Sequence, residues 1–331
     1  MRKLFLALIA ILAVTLFAGC DSRSPYRHCE GVIWATSYHI TYRSEKMLDD
    51  SVLAVLRGVE QSLSPFIDSS LVSDINAGVT DNTDSLFRRI FLTSCEISRI
   101  SGGAYDPTVA PLVNLWGFGY RTTGREPTQQ QIDSALNLVG ILECRLEGNR
   151  IVKRSPETEF DFSSITKGYA CDLVGDMLRR NGCSDFIVEI GGEVRASGEN
   201  DRGHGWRIMI DAPVENDTAV VHSGIAVIEI SDCGVATSGN YRNYRKTSAG
   251  KSWHTISPAT GRPAVSSTLS ATVIAPDAMT ADALATACMV LQPDSALSMI
   301  SRLPHTEALL VSSGPKGFEL HPTSGFPEMR R

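Results

Sequence analysis

Apolar residues recur at helical spacing in four stretches of the chain. In the first of them, Val52, Leu56, Val59 and Leu63 fall on one face of a helix, and Pro65 follows as a stop signal. The same reasoning applied along the sequence predicts helices over residues 48–63, 85–100, 128–138 and 164–180.

Shorter apolar runs, rich in β-branched and aromatic residues, predict strands. They cover residues 32–42, 186–190, 206–210, 226–230, 268–274 and 307–311. Helices and strands are intermixed without strict alternation, which favours an α+β fold over a doubly wound parallel sheet. We therefore expect mixed sheets with packed helices, folded as a single compact unit.

The amino-terminal stretch predicts export and membrane attachment. Arg2 and Lys3 precede fifteen largely apolar residues, 4–18, a run shorter than the roughly 20 residues of a spanning helix and typical of a secretory signal. The small residues Ala18 and Gly19 directly precede Cys20, which resembles the processing site of bacterial lipoproteins, although Phe17 departs from the usual leucine.

This interpretation divides the chain into three parts. Residues 1–19 are a lipoprotein signal peptide, residues 20–28 are a tether lipidated at Cys20, and residues 29–331 are the folded domain. Several acyl chains on Cys20 would give stable anchoring, which places the protein at the cell membrane on its periplasmic, extracytoplasmic side. The alternative is an ordinary secreted protein in which Cys20 is incidental.

Composition narrows the class of protein. With 31 basic and 37 acidic residues the formal charge is −6, so no basic excess is present to neutralise a nucleic-acid backbone, and we expect no nucleic-acid partner. Apolar residues make up 43% of the chain, enough for a sizeable core. The eight cysteines include no Cys-x-x-Cys pair, and the phosphate-loop, dinucleotide-binding and His-Glu-x-x-His motifs are all missing.

Polar clusters within apolar context mark candidate chemistry. Asp106 precedes Pro107 and is held extended, where it could accept hydrogen bonds from a ligand or cap its own turn. Ser164 is a plausible N-cap for the fourth helix, and Lys167 lies in the first turn of that helix. A helix N-terminus with a nearby cation suits a phosphorylated ligand, although an exposed structural lysine there costs little.

Further clusters lie toward the carboxyl end. Gly191-Gly192 follows a predicted strand and allows a tight turn or a close backbone approach. His254 enters a turn and could act as acid, base or phosphate donor, or be structural. Asp282 and Thr286, four residues apart near a helix start, offer hard oxygen ligands for Mg²⁺; the alternative is a carboxylate that only complements the helix dipole.

In this order along the chain, the clusters resemble those of bacterial FAD:protein FMN transferases, the ApbE-type flavin-trafficking lipoproteins. The resemblance is carried by Ser64-Pro65-Phe66, residues 104–109, 115–119 and 161–172, the two glycines, Thr237-Ser238-Gly239, residues 254–263 and residues 281–286. It implies an ApbE-like fold and Mg²⁺-dependent transfer of FMN from its substrate FAD to a Thr or Ser hydroxyl of an exported redox protein, with release of AMP.

The resemblance also implies roles for individual residues. His254 and Asp282 would be catalytic, His254 by orienting or deprotonating the acceptor hydroxyl. FAD would be bound by Trp34, Phe66, Ala104, Tyr105, Asp106, Asp161, Lys167 and Ile256. Mg²⁺ would be held by Ser164, Asp282 and Thr286.

The sequence departs from the family pattern at three places. Trp34-Ala35-Thr36 replaces the usual Met-Gly-Thr, Phe66 replaces a frequent tyrosine, and Ala285 stands where some members carry a second acid. Two other functions remain open at this point. One is an Mg²⁺-dependent FAD pyrophosphatase that uses water as acceptor, and the other is a non-catalytic flavin-binding lipoprotein.

Overall fold

The computed structural model describes residues 24–121, 126–214, 224–240, 244–247, 250–315 and 317–330. The predicted signal peptide and Cys20 lie outside the described residues. Within those residues, none of the helices combines the length and the apolar character that crossing a membrane requires. Seven cysteines of this part of the chain, from Cys29 to Cys288, are free thiols.

The helices follow the predicted positions closely. Ser85–Ile100 has the predicted bounds, with Asp84 as its N-cap, and Thr128 caps the third predicted helix in a capping box with Gln131. The helices are α1 (Asp49–Leu63), α2 (Leu71–Asn76), α3 (Ser85–Ile100), α4 (Ala110–Leu115), α5 (Gln129–Leu136), α6 (Thr166–Arg180), α7 (Ala278–Val290) and α8 (Pro293–Ile300).

One predicted cap is wrong. Helix α6 begins at Thr166 with Ile165 at the N-cap position, and no side chain caps it. Ser164 therefore precedes the helix and is not its N-cap. Its side chain instead lines the cavity described below.

An antiparallel sheet of eight described strands organises the fold, in the order β1-β2-β5-β6-β9-β12-β13-β14. The pairs β3–β4, β7–β8 and β10–β11 form small separate sheets. The strands are β1 (Tyr26–Ile33), β2 (Thr36–Arg43), β3 (Arg145–Glu147), β4 (Arg150–Val152), β5 (Phe186–Ile190), β6 (Glu193–Ser197), β7 (Trp206–Asp211), β8 (Gly224–Ile230), β9 (Gly234–Gly239), β10 (Tyr244–Thr247), β11 (Gly250–Trp253), β12 (Thr268–Ala275), β13 (Glu307–Gly314) and β14 (Gly317–Pro322).

The first predicted strand, 32–42, is a hairpin. Ile33 pairs with Thr36, and the two turn residues Trp34 and Ala35 both have positive φ, 51° and 57°. Such a turn usually carries Asn or Gly, so Trp34-Ala35 has no recognisable turn signal. Strand β1 already begins at Tyr26, so the last three residues of the predicted tether belong to the folded unit.

Both faces of the large sheet are covered. Helices α6 and α7 pack on one face, with α1 and α3 packed on them, around a core that includes Phe186, Val188 and Leu284. The β7–β8 hairpin covers a second cluster that includes Val235 and Ile274. The predicted α+β class and the single compact unit are thus confirmed, and the paired strands of the large sheet are antiparallel.

Candidate active site

A cavity of about 440 Å³ opens where the starts of α6 and β6, the end of β9 and the second turn of α7 meet. Segments distant in sequence form its wall. The residues predicted for the site that line it are Phe66, Ala104, Tyr105, Asp106, Asp161, Ser164, Lys167, His254, Ile256, Asp282 and Thr286. The fold therefore gathers nearly every predicted side chain around one space.

Asp282 reaches this cavity from the interior of helix α7. Asp277 caps that helix, so Asp282 lies in its second turn and not at the helix start that the sequence suggested. Its side chain is 3% exposed, and Oδ2 accepts a hydrogen bond from the backbone N–H of Gly168, at 3.0 Å. Burial raises the pKa of Asp282, while Lys167 and the Gly168 N–H oppose the rise.

The close contact of α6 and α7 that makes this bond possible requires a glycine. A Cβ on Gly168 would lie 2.2 Å from the carbonyl oxygen of Ala278 and 2.9 Å from Cβ of Asp282. Asp172, one turn further along α6, accepts hydrogen bonds from the N–H groups of Ala278 and Met279 and so caps α7 from outside. The two helices are thereby fixed against each other at the cavity floor.

Lys167 forms an ion pair that sequence reasoning did not predict. Its Nζ lies 2.5 Å from Oε2 of Glu193, which is 3% exposed and lines the same cavity. Burial would lower the pKa of Lys167, but the carboxylates of Glu193 and Asp282 outweigh it and raise that pKa. Glu193 follows the Gly191-Gly192 turn directly, and this position was the one signal in the sequence that could have indicated it.

Hydroxyl groups line the wall beside Asp282. Oγ1 of Thr286 lies 3.3 Å from Oγ of Ser238 at the end of β9. The buried Tyr105 hydroxyl hydrogen-bonds the side chain of Ser94, and Ser164 opposes the rise that burial causes in the pKa of Tyr105. Ser164 and Thr286 therefore bring neutral oxygen donors to the wall that holds the Asp282 carboxylate.

The carboxylate of Asp106 is engaged within the protein. Oδ1 accepts from the N–H and hydroxyl of Thr108, and Oδ2 accepts from the N–H of Ile141. This matches the turn-capping alternative, so any contact of Asp106 with a ligand would be made beside these bonds. Asp161 accepts a hydrogen bond from the N–H of Ser163, and burial raises the pKa of Asp161.

Aromatic side chains form the outer part of the wall. Phe66 is 61% exposed and packs edge-on against Tyr120, with 6.1 Å between ring centroids. The rings of Phe118 and His254 lie 6.4 Å apart. The cavity therefore combines an aromatic rim with a polar, charged floor, which suits a ligand with flat rings and a phosphate-containing centre.

Comparison with known proteins decides the family. The sequence profile of the ApbE family matches residues 34–310. The chain belongs to the ApbE family. The curated FAD:protein FMN transferase of Vibrio cholerae is 33% identical over 96% of this chain and 97% of that protein. The enzyme of the same description from Haemophilus influenzae is 32% identical over 99% of both chains.

A solved structure supports the same assignment. The flavinyl transferase ApbE of Pseudomonas stutzeri, in its apo form, superposes with a TM-score of 0.82 at 32% identity, covering 92% of this chain and 97% of that chain. The predicted family, the ApbE-like fold and the prediction that the chain is an enzyme are thus confirmed.

Among the predicted catalytic, FAD-binding and metal-binding residues, Trp34 is the one that does not line the cavity of this ApbE family member. It forms the tip of the β1–β2 hairpin, is half-buried and packs against the main core. A Cβ on Gly191 would lie 2.9 Å from Oγ1 of Thr36 in the same hairpin and 3.2 Å from Cδ of Lys167. The predicted contact of Trp34 with the flavin stays a prediction.

The glycine at the helix crossing provides a test of the cavity floor. In Gly168→Ala, the contact with the Ala278 carbonyl costs up to about 3 kcal/mol, while the helix gains about 1 kcal/mol, so we expect a net loss of about 2 kcal/mol of unfolding free energy. Chemical denaturation measures this value. Gly58→Ala in α1 is the control, because nothing lies within 4 Å of its added Cβ. This variant should have a higher unfolding free energy than the wild type. Equal stability of wild type and Gly168→Ala would contradict the described contact.

Proposed function

We propose that this chain transfers FMN from FAD to a Thr or Ser hydroxyl of an exported redox protein, with Mg²⁺ as cofactor and AMP as product. The observation that carries the proposal is the grouping of Lys167, Asp282, Ser164, Thr286 and His254 around one cavity with an aromatic rim. The curated relatives, named FAD:protein FMN transferases, support it.

The oxygen donors of the cavity fit Mg²⁺. Asp282 supplies a carboxylate, and Ser164 and Thr286 supply hydroxyls. Across the described residues, no group of three or more His, Cys, Asp or Glu side chains is placed to hold a metal ion. A sparse set of hard oxygens suits Mg²⁺, which keeps several waters and takes its remaining ligands from a substrate's phosphates.

When bound, Mg²⁺ would neutralise charge on the pyrophosphate. The chain's own residues would do the rest. Lys167 would bind the pyrophosphate of FAD through a charge-assisted hydrogen bond, and the rim around Phe66 would hold a flat ring. His254 would accept the proton of the acceptor hydroxyl as its oxygen bonds to the FMN phosphorus. The bridging phosphorus–oxygen bond breaks, and AMP leaves with the bonding electrons.

Product analysis separates this reaction from FAD hydrolysis. The purified chain is incubated with FAD and Mg²⁺, with and without the exported proteins of its source organism, and AMP and free FMN are quantified. Transfer predicts that AMP exceeds free FMN, the difference being FMN bound to protein, and that turnover needs the acceptor. Equal amounts of AMP and free FMN under both conditions would identify a pyrophosphatase. No product at all would leave flavin binding alone.

We also propose that Cys20 is acylated and anchors the protein on the extracytoplasmic side of the membrane. The apolar run before Cys20 and the small residues next to it support this. We expect Cys20→Ser to block processing and move the protein from the membrane fraction to the soluble fraction, as judged by fractionation and by the mass of the amino-terminal peptide. Cys29→Ser is the control, because Cys29 lies within β1. Unchanged membrane association of Cys20→Ser would contradict the anchor.

A further inference from the structure

Glu193 places a buried negative charge in the cavity that, under the proposed function, receives the anionic pyrophosphate of FAD. Burial raises the pKa of this carboxyl, and the Lys167 ammonium opposes the rise. Removing a carboxylate from water and setting it near an incoming anion are both unfavourable. The contacts that Glu193 makes must therefore provide a benefit that offsets both unfavourable effects.

Its surroundings hold Glu193 in place. Ile190 pairs with Glu193 across the tight Gly191-Gly192 turn, in which both glycines have positive φ. The backbone oxygen of Glu193 accepts a bond from Sγ of Cys171 in helix α6. The first residue of β6 is therefore connected to the helix that also carries Lys167.

Lys167 is held at two points, at Cδ of its stem and at its ammonium group. A Cβ on Gly191 would lie 3.2 Å from Cδ of Lys167, so the stem passes directly over this turn. The ammonium lies 2.5 Å from Glu193 and within the electrostatic influence of Asp282. A lysine on a cavity wall would otherwise sample many rotamers, since its stem has several rotatable bonds.

We propose that Glu193 is a positioning residue, which holds the Lys167 ammonium at one point of the cavity wall beside Asp282. The ammonium then meets the pyrophosphate without rearrangement, and stabilisation of the reacting phosphate depends on such fixed placement. This inference rests on the proposed function, because it assigns Lys167 to the pyrophosphate. It predicts that Glu193 affects the rate of the reaction more than the affinity for FAD.

Glu193→Gln tests this, because it keeps the size of the side chain and removes its charge. We expect kcat for FMN transfer to fall by about 10–100-fold, the scale for residues that orient a ligand-binding group. The Kd for FAD, from calorimetry in Mg²⁺-free buffer, should stay within about threefold, since loss of repulsion and loss of positioning offset each other. A wild-type kcat in the folded variant would overturn the proposal.

The control is Glu189→Gln in the same hairpin. Glu189 accepts a bond from the Gly192 N–H and pairs with His39, outside the cavity. This variant should keep the wild-type kcat, which separates the charge of Glu193 from a disturbance of the turn. If Glu189→Gln loses as much activity as Glu193→Gln, the effect is structural and the proposal fails.

A double-mutant cycle decides whether Glu193 acts through Lys167. In the background of Lys167→Met, Glu193→Gln should change kcat by less than about twofold, because the residue it positions is gone. If the kcat losses of Glu193→Gln and Lys167→Met multiply in the double variant, Glu193 acts independently of Lys167, and the proposal is overturned. Should Glu193→Gln fail to fold, Glu193→Asp replaces it, with the same expected loss in kcat because its carboxylate is withdrawn by one methylene, and a wild-type kcat again counts against the proposal.

The outcomes also distinguish this inference from the proposed function. If the wild type forms no product from FAD, the proposed function is wrong, and this inference fails with it. An active wild type whose Glu193 variants retain their kcat removes the inference alone. An active wild type with slowed Glu193 variants, unchanged FAD affinity and a non-additive cycle with Lys167 is the result we expect.

Discussion

Asp282→Asn should lower the rate of FMN transfer by about 10²–10³-fold, the scale for losing one electrostatic contact to a reacting group. Asparagine keeps the size of the side chain and can still accept the Gly168 N–H bond, so the crossing of α6 and α7 should persist. The loss would therefore report the missing charge toward Mg²⁺ and not a change of fold. Steady-state kinetics over a range of Mg²⁺ concentrations measures it.

The matched control for this change lies on the same helix. Asp277→Asn replaces the N-cap of α7 by a residue that caps equally well, so activity and stability should both stay near the wild-type values. Full activity of Asp282→Asn in EDTA-treated, Mg²⁺-free buffer would rule out the assignment of Asp282 to the metal and to catalysis.

His254→Ala should slow transfer by about 10²–10⁴-fold, the usual scale for positioned acid–base help, while the affinity for FAD changes little. His254 lines the cavity next to Phe118, on the segment that leads into a turn closed by the pairing of Ile256 with Pro263. Single-turnover transfer at saturating FAD gives the rate, and calorimetric titration gives the affinity.

His39→Ala is the control for the histidine, because His39 is an exposed residue of β2 that pairs with Glu189. It should leave both rate and affinity unchanged. A His254→Ala variant that loses FAD binding but keeps its transfer rate at saturating FAD would place His254 in the binding wall and remove its acid–base role.

Local sequence signals were sufficient for much of the fold. The amphipathic pattern of 85–100 matches α3 residue for residue, because one face of that helix packs into the core and Asp84 caps it. The turn at Trp34-Ala35 was missed, since neither residue favours positive φ and only strand pairing on both sides imposes it. The predicted start of α6 differs from the observed start by two residues. Serine is a residue type typical of helix N-caps, but Ser164 faces the cavity and does not cap α6.

Sequence signals likewise identified some residues of the candidate site and missed others. Asp282 and Thr286 were identified from their spacing on one helix, and the cavity does bring them together with Ser164. Glu193 was not identified from the sequence, because its importance comes from a contact with Lys167. The two residues are 26 positions apart in the chain and meet across the β6–α6 interface. A short-range pattern carries no record of such a long-range ion pair, nor of the bond from the Ile141 N–H to the Asp106 carboxylate.

Covalent attachment of flavin is the most direct test of the central claim, that this chain moves FMN from FAD onto protein. Exported proteins of the source organism are incubated with FAD, Mg²⁺ and either wild type or Asp282→Asn, then denatured, separated and mapped by peptide mass spectrometry. We expect a fluorescent band with wild type only, and a peptide whose mass has increased by FMN less one water at a Thr or Ser. Absence of any flavin-bearing peptide with active, FAD-consuming wild type would contradict the claim.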